Sequence, residues 1–161
     1  MIQLPDRIKN EDLWMDLYSN PLEQYWMKLG SRRPTFCPMP NCKRGYVAHW
    51  ELADHQLFLC DIKGNYERHT LFQGNKIARY SLLNLFRKSS DNPVKAFWFS
   101  GKLRIPTGKM TLYGENGYDS RFESEMIITV NAGDLVRIVN LDFVEGVLTQ
   151  ESQTFLTKYD K

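Results

Sequence analysis

No apolar run in this chain approaches the roughly 20 residues that cross a bilayer. Its opening residues, Met1-Ile-Gln-Leu-Pro5-Asp-Arg7, contain no apolar export core. The sequence therefore predicts a cytoplasmic protein with no membrane partner. Only three cysteines occur among 161 residues, which excludes a disulfide-stapled secreted fold and predicts reduced thiols. A Walker loop, a dinucleotide-binding glycine fingerprint and a Gly-x-Ser-x-Gly nucleophile elbow are all absent. Gly108, Gly114, Gly117 and Gly133 are scattered among turn-like contexts, where tolerance of positive φ explains them. No cofactor is expected, and neither a repeat nor a low-complexity tract is present.

What is there suits one folded domain over residues 1–161. A chain of this length buries about 70% of its unfolded surface. Its 42% hydrophobic and 25% charged content is ordinary for a globular protein, and 13% aromatic content is high. A helical part is expected at residues 1–36. Leu13, Trp14 and Leu17 predict a short helix over about 10–18. Asn20-Pro21-Leu22-Glu23 reads as an N-cap, a first-turn proline and a capping-box glutamate. Leu22, Tyr25, Trp26 and Leu29 follow at helical spacing, and Gly30 can close that helix.

A sheet-dominated part is expected at 44–148. Alternation over Tyr46–Leu52, a turn at Ala53-Asp54-His55 and a partner strand Gln56–Ile62 predict a hairpin ended by Lys63-Gly64-Asn65. A third helix is expected over about Lys76–Lys88. Strands follow at 95–105, 109–114, 122–131 and 134–140, with Asn131-Ala-Gly133-Asp134 as a turn. Val144–Leu148 adds a possible strand, and the polar tail from Gln150 is expected to fray. The fold class is α+β: N-terminal helices on a mainly antiparallel, twisted sheet, curled towards a half-barrel.

Several side-chain groups invite a chemical reading. Cys37 and Cys42, with Cys60 and three histidines, suggest zinc, but no second cysteine pair completes a tetrahedral set. A thiol–imidazole pair would need a cysteine near His49, His55 or His69, and His49 has the best claim because a strand would hold it. Glu115, Asp119, Glu123 and Glu125 form the densest carboxylate group. If residues 122–130 are a strand, Glu123 and Glu125 share a face. Such a pair can serve acid–base chemistry, bind a hard cation, recognise a basic protein, or simply be solvated.

Charge is segregated along the chain. Lys76, Arg79, Arg87, Lys88, Lys95, Lys102, Arg104 and Lys109 face one acid, Asp91, in residues 76–109, whereas residues 110–161 carry nine acids against four bases. The basic stretch with Phe86, Phe97, Trp98 and Phe99 has the ingredients of a nucleic-acid surface, yet a net charge of +2 lacks the excess such domains carry. Opposed segments of this kind can steer a charged partner.

Three blocks resemble a family of small bacterial proteins: Arg44-Gly-Tyr-Val-Ala-His-Trp-Glu51 followed by Gln56–Ile62, Trp98-Phe-Ser-Gly-Lys-Leu-Arg-Ile-Pro-Thr-Gly108, and Gly117-Tyr-Asp-Ser-Arg-Phe-Glu123. That family has His-Met ahead of the third block, where this chain has Glu115-Asn116. In size, aromatic richness and the lack of an export signal and of catalytic motifs the chain also resembles immunity proteins of contact-dependent growth inhibition systems. That resemblance implies a non-enzymatic protein that neutralises a cognate toxin by contact. The contact would involve Glu115, Asp119, Arg121 and Glu123, with Tyr113 and Tyr118 as aromatic anchors. The alternative is a small enzyme or metal protein around His49 and the Glu115–Glu125 carboxylates.

Overall fold

A computed structural model of the chain describes residues 3–72, 74–86, 92–114 and 117–156. Glu115 and the end of the expected third helix lie outside them. The twelve strands are β1 (Asp6–Asn10), β2 (Leu13–Leu17), β3 (Tyr46–Ala53), β4 (Gln56–Thr70), β5 (Gly74–Tyr80), β6 (Val94–Lys95), β7 (Gly101–Pro106), β8 (Met110–Leu112), β9 (Arg121–Phe122), β10 (Ser124–Asn131), β11 (Asp134–Val144) and β12 (Val147–Phe155). Among the described residues two short α-helices accompany them, α1 (Pro21–Leu29), which runs on into a 3-10 turn at Gly30–Arg32, and α2 (Leu82–Leu85).

The α+β expectation is therefore corrected. The protein is mostly β, 58% strand and 10% helical, with a mixed sheet in place of helices stacked on a sheet. Residues 6–17 form the hairpin β1–β2, and β1 also pairs in parallel with β3. The spacing of Leu13, Trp14 and Leu17 mimics a helix, but Leu17 is buried while Leu13 and Trp14 are exposed, so the pattern is that of an edge strand. Of the expected N-terminal helices only α1 forms, after Asn20 and before Gly30 at φ 59°. Its Glu23 side chain does not close a capping box, because it accepts from the Tyr46 hydroxyl (2.7 Å) and Arg33 (2.7 Å).

Of the expected helix over 76–88, residues 76–80 belong to β5, which pairs antiparallel with the outer half of β4, and only the single turn α2 at Leu82–Leu85 is helical among the described residues. Gly64, read as a turn residue, is a strand position instead. A Cβ there would lie 2.6 Å from the Gly45 carbonyl oxygen, so glycine lets the two backbones pass closely. The tail is also strand, since β12 pairs with β11 as far as Phe155.

The main path runs β2-β1-β3-β4-β11-β10-β7, with β5 and β6 on β4 and β12 on β11. Its two ends meet where the Tyr18 amide donates to the Arg104 carbonyl (2.9 Å). β4 and β11 pair only at Gln56 and Asp134 before diverging. Ile8, Leu17, Ala48, Trp50, Leu57, Leu59, Leu103, Ile105 and Ile128 fill the interior. α1 covers one end with Trp26, whose ring meets Phe36, Tyr46 and Tyr80. Among the described residues no helix is long and apolar enough to cross a membrane.

Candidate partner-binding site at the 113–123 loop

Alternation along β7 buries Leu103 and Ile105 and turns Arg104 to the outer face of the sheet. Arg104 there organises the loop between β8 and β9. Its Nη1 donates to the Tyr118 carbonyl (2.6 Å) and its Nη2 to the Ser120 carbonyl (2.6 Å). Nε donates to Glu125 Oε1 on β10 (3.0 Å), and Nη2 reaches the same oxygen. The guanidinium packs on the Tyr18–Phe122 ring pair, 5.9 and 5.5 Å from their centroids. Such a planar fork satisfies several acceptors at once, which a lysine ammonium cannot do in the same geometry.

The loop carries further ties of its own. The buried Ser120 hydroxyl accepts from the Gly114 amide (3.0 Å). A Cβ on Gly114 would collide with the Asp119 carboxylate, so that side chain folds back over the loop. Tyr118 is half-buried, donates to Asn20 Oδ1 (2.7 Å) and meets Tyr18 edge-on. Burial, opposed by the nearby Arg44 charge, pushes its hydroxyl up to about 12. Tyr118 is thus a brace more than a free anchor.

Beneath the loop lies a buried ion pair that the sequence reading did not single out. Asp6 is fully buried and accepts from Arg44 Nη2 (2.7 Å), the Ala48 amide (3.0 Å) and Trp50 Nε1 (3.1 Å). Burial raises the Asp6 pKa, while Arg44 and these donors pull it down. The Arg44 guanidinium also sits over the Tyr46 ring at 5.3 Å. Arg44 belongs to one of the sequence blocks singled out above, and this pair gives it a structural role.

Tyr113 (55% exposed), Arg121 and Glu123 are exposed beside this braced loop, whereas Asp119, though exposed, lays its carboxylate against Gly114. Glu123 and Glu125 are separated, contrary to expectation. Residue 123 is a break between β9 and β10, so Glu123 is exposed while Glu125 is 8% exposed and paired with Arg104. Next to Glu123 a groove of about 490 Å³ runs between the β8–β9 ribbon and the β11–β12 hairpin. Phe122 and Phe143 form its apolar wall, and Glu123, Asp142 and Glu145 its acidic rim. A second hollow of about 330 Å³ adjoins it and exposes Arg104, Arg121 and Glu125. Asp142 and Glu145 were missed because distant sequence positions reach this rim only through the β10–β11 pairing.

The other candidates are dispersed. His49 lies on the outer face of β3 against the Trp14 ring (5.4 Å), and burial followed by the Lys63 charge lowers its pKa. From β3 to Glu125 on β10 the sheet crosses β1, β2 and β7, about 19 Å at roughly 4.8 Å per strand step. His49 and the carboxylates therefore do not share a site. The buried Cys42 thiol donates to the Tyr46 carbonyl (3.2 Å), and Cys60 faces Glu51 (3.8 Å). Among the described residues no group of three His, Cys, Asp or Glu side chains could hold a metal ion. His55 stands exposed in the β3–β4 turn, and the His69 ring bonds to Asn75. In the basic stretch Trp98 and Phe99 are buried and Phe86 stacks on Trp98 (5.6 Å), so only Phe97 is available to a base. No protein-family model, curated protein or solved structure matches the chain.

Proposed function

We propose that the chain acts by binding a basic partner protein through the outward face of the 113–123 loop and the adjoining groove. Following the immunity-protein resemblance, the partner is a bacterial toxin neutralised by contact. The observation that carries the reading is the bracing of the loop by Arg104 and Tyr118. The Arg104 guanidinium and the half-buried Tyr118 hydroxyl tie residues 118–120 down next to Arg121 and Glu123, and a segment already tied down has less ordering entropy to lose on binding. Glu123, Asp142 and Glu145 supply a negative rim around Phe122 and Phe143, a charge pattern that speeds capture of a cationic partner.

The test is co-expression with the product of the neighbouring reading frame, scored by growth and by affinity of the purified pair. Tyr113→Ala with Glu123→Lys should cost at least tenfold in affinity and abolish growth rescue. These residues are preferred to Asp119, which folds onto Gly114 and whose replacement would disturb the loop itself. Full rescue by the double variant, or a neighbouring product that is neither toxic nor bound, refutes the reading.

A further inference from the structure

The most exposed large apolar side chains among the described residues lie far in sequence from that loop, at the end of the β4–β5 hairpin. Leu71 and Phe72 are 93% and 94% exposed. The hairpin leaves the core at Tyr66, which still packs on Tyr80 (5.1 Å), and its base is braced by the Thr35 carbonyl, which accepts from the Glu67 amide (3.0 Å). Beyond that point, from Glu67 to Ile77, every described residue except Thr70 is exposed. The tip is nonetheless shaped: the Thr70 hydroxyl donates to the Gly74 carbonyl (2.6 Å), and Gly74 takes φ 71° to turn the chain.

Behind the tip, Arg68 and Lys76 are directly opposed across the two strands. Like charges in that position destabilise a hairpin, and among the described residues neither belongs to an ion pair. Over residues 63–80 the arm carries Lys63, Arg68, Lys76 and Arg79 against Glu67 alone. Arg79 is partly answered by Asp61 (3.6 Å).

We propose that this arm is a membrane-surface anchor: Leu71 and Phe72 enter the interface of an anionic bilayer while Arg68 and Lys76 meet its headgroup phosphates. The dimensions suit that occupant. Three residues of extended strand separate Arg68 from Leu71, about 10 Å, and interfacial segments bury their apolar side about 5–10 Å deep. Both cations therefore stand at one height behind the tip, as a headgroup plane requires. A ribbon lying along a nucleic-acid groove would instead need its cations along one face, whereas Arg79 lies on the face opposite Arg68 and Lys76, beside Glu67 and paired with Asp61. The absence of a bilayer-spanning run noted in the sequence does not bear on this surface, because a two-residue tip does not span.

The experiment uses the full chain and sedimenting vesicles of phosphatidylcholine with 30% phosphatidylglycerol, against pure phosphatidylcholine. Binding is expected to the anionic vesicles only. Arg68→Gln with Lys76→Gln should weaken it roughly twenty-five-fold, about fivefold per cation. Leu71→Ser with Phe72→Ser should weaken it at least tenfold. All four side chains are exposed, and the Gln pair removes a like-charge repulsion, so no urea midpoint should fall below the parent's, which separates lost binding from lost fold. No partition into anionic vesicles, equal partition of the Ser variant, or preferential retention on duplex DNA at the same salt overturns the proposal.

Discussion

Replacing Arg104 with lysine keeps the charge and removes the fork, so it isolates the contribution of guanidinium geometry to the 113–123 loop. In the parent, the guanidinium serves the Tyr118 carbonyl, the Ser120 carbonyl and Glu125 together. A lysine ammonium can stay near Glu125, but it leaves the two carbonyls without their donor. Hydrogen bonds to charged groups contribute about 1.5–3 kcal/mol each. Because the Arg104 side chain is 25% exposed, water recovers part of that loss, and we expect about 2–4 kcal/mol in total. With a urea slope of about 2 kcal/mol/M for a domain of this size, the midpoint should fall by about 1–2 M. Hydrogen exchange should localise the loss, with the amides of Gly117 and Ser120 exchanging faster than those of β3. A second variant, Arg104→Leu with Glu125→Leu, removes the charge pair without leaving one charge buried alone. It should recover much of the global stability while the loop amides still exchange fast. A midpoint within about 0.3 M of the parent for Arg104→Lys, with unchanged loop exchange, would refute the reasoning.

Three further outcomes follow from the same geometry. Asp6→Asn leaves the Arg44 cation buried without its counter-charge and should cost about 3–5 kcal/mol in chemical denaturation; a cost below about 1 kcal/mol would show that the pair is not coupled. His49 has a lowered folded pKa, so below its ordinary value near 6.5 the unfolded chain binds the extra proton first. Stability should therefore fall as pH drops from 7 towards 5, and His49→Gln should flatten that part of the profile. Cys60 has its thiol pushed up to about 12 by burial and by Glu51. At pH 8 its alkylation should be slower than that of a free thiol, and Glu51→Gln should speed it with the fold unchanged, as read by mass spectrometry.

The parts of the fold that could be read from sequence are those in which local pattern and tertiary burial agree. Tyr46, Ala48 and Trp50 alternate because one face of β3 is buried. The Ala53–His55 and Asn131–Asp134 turns were legible because Asp54, His55 and Gly133 tolerate the positive φ seen there, whereas Ala132 takes φ 47° without any such preference. Where the two levels conflict, the tertiary term won. Leu13, Trp14 and Leu17 match a helix locally, yet β1 is tied to β3 by the Asp6 carboxylate, and its hairpin partner β2 follows it into the sheet. Helix propensity over Lys76–Arg79 is a few tenths of a kcal/mol per residue, and seven paired positions against β4 outweigh it.

The candidate site divides the same way. Tyr113, Arg121 and Glu123 were found because turn composition and charge mark an exposed loop. Arg104, which fixes that loop, looked like one more cation of a basic stretch. Alternation between Leu103 and Ile105 places it on the outer face of a strand, but nothing local says that the Tyr118 and Ser120 carbonyls, 14 and 16 residues away, come to rest upon it. The acidic rim is likewise a product of pairing, since Asp142 is brought opposite Ser124 by the β10–β11 register. A surface assembled from loop, strand break and hairpin end is thus set by strand register. A one-residue slip between β10 and β11 would turn Asp142 to the other face and dismantle the rim while leaving the 113–123 loop sequence untouched.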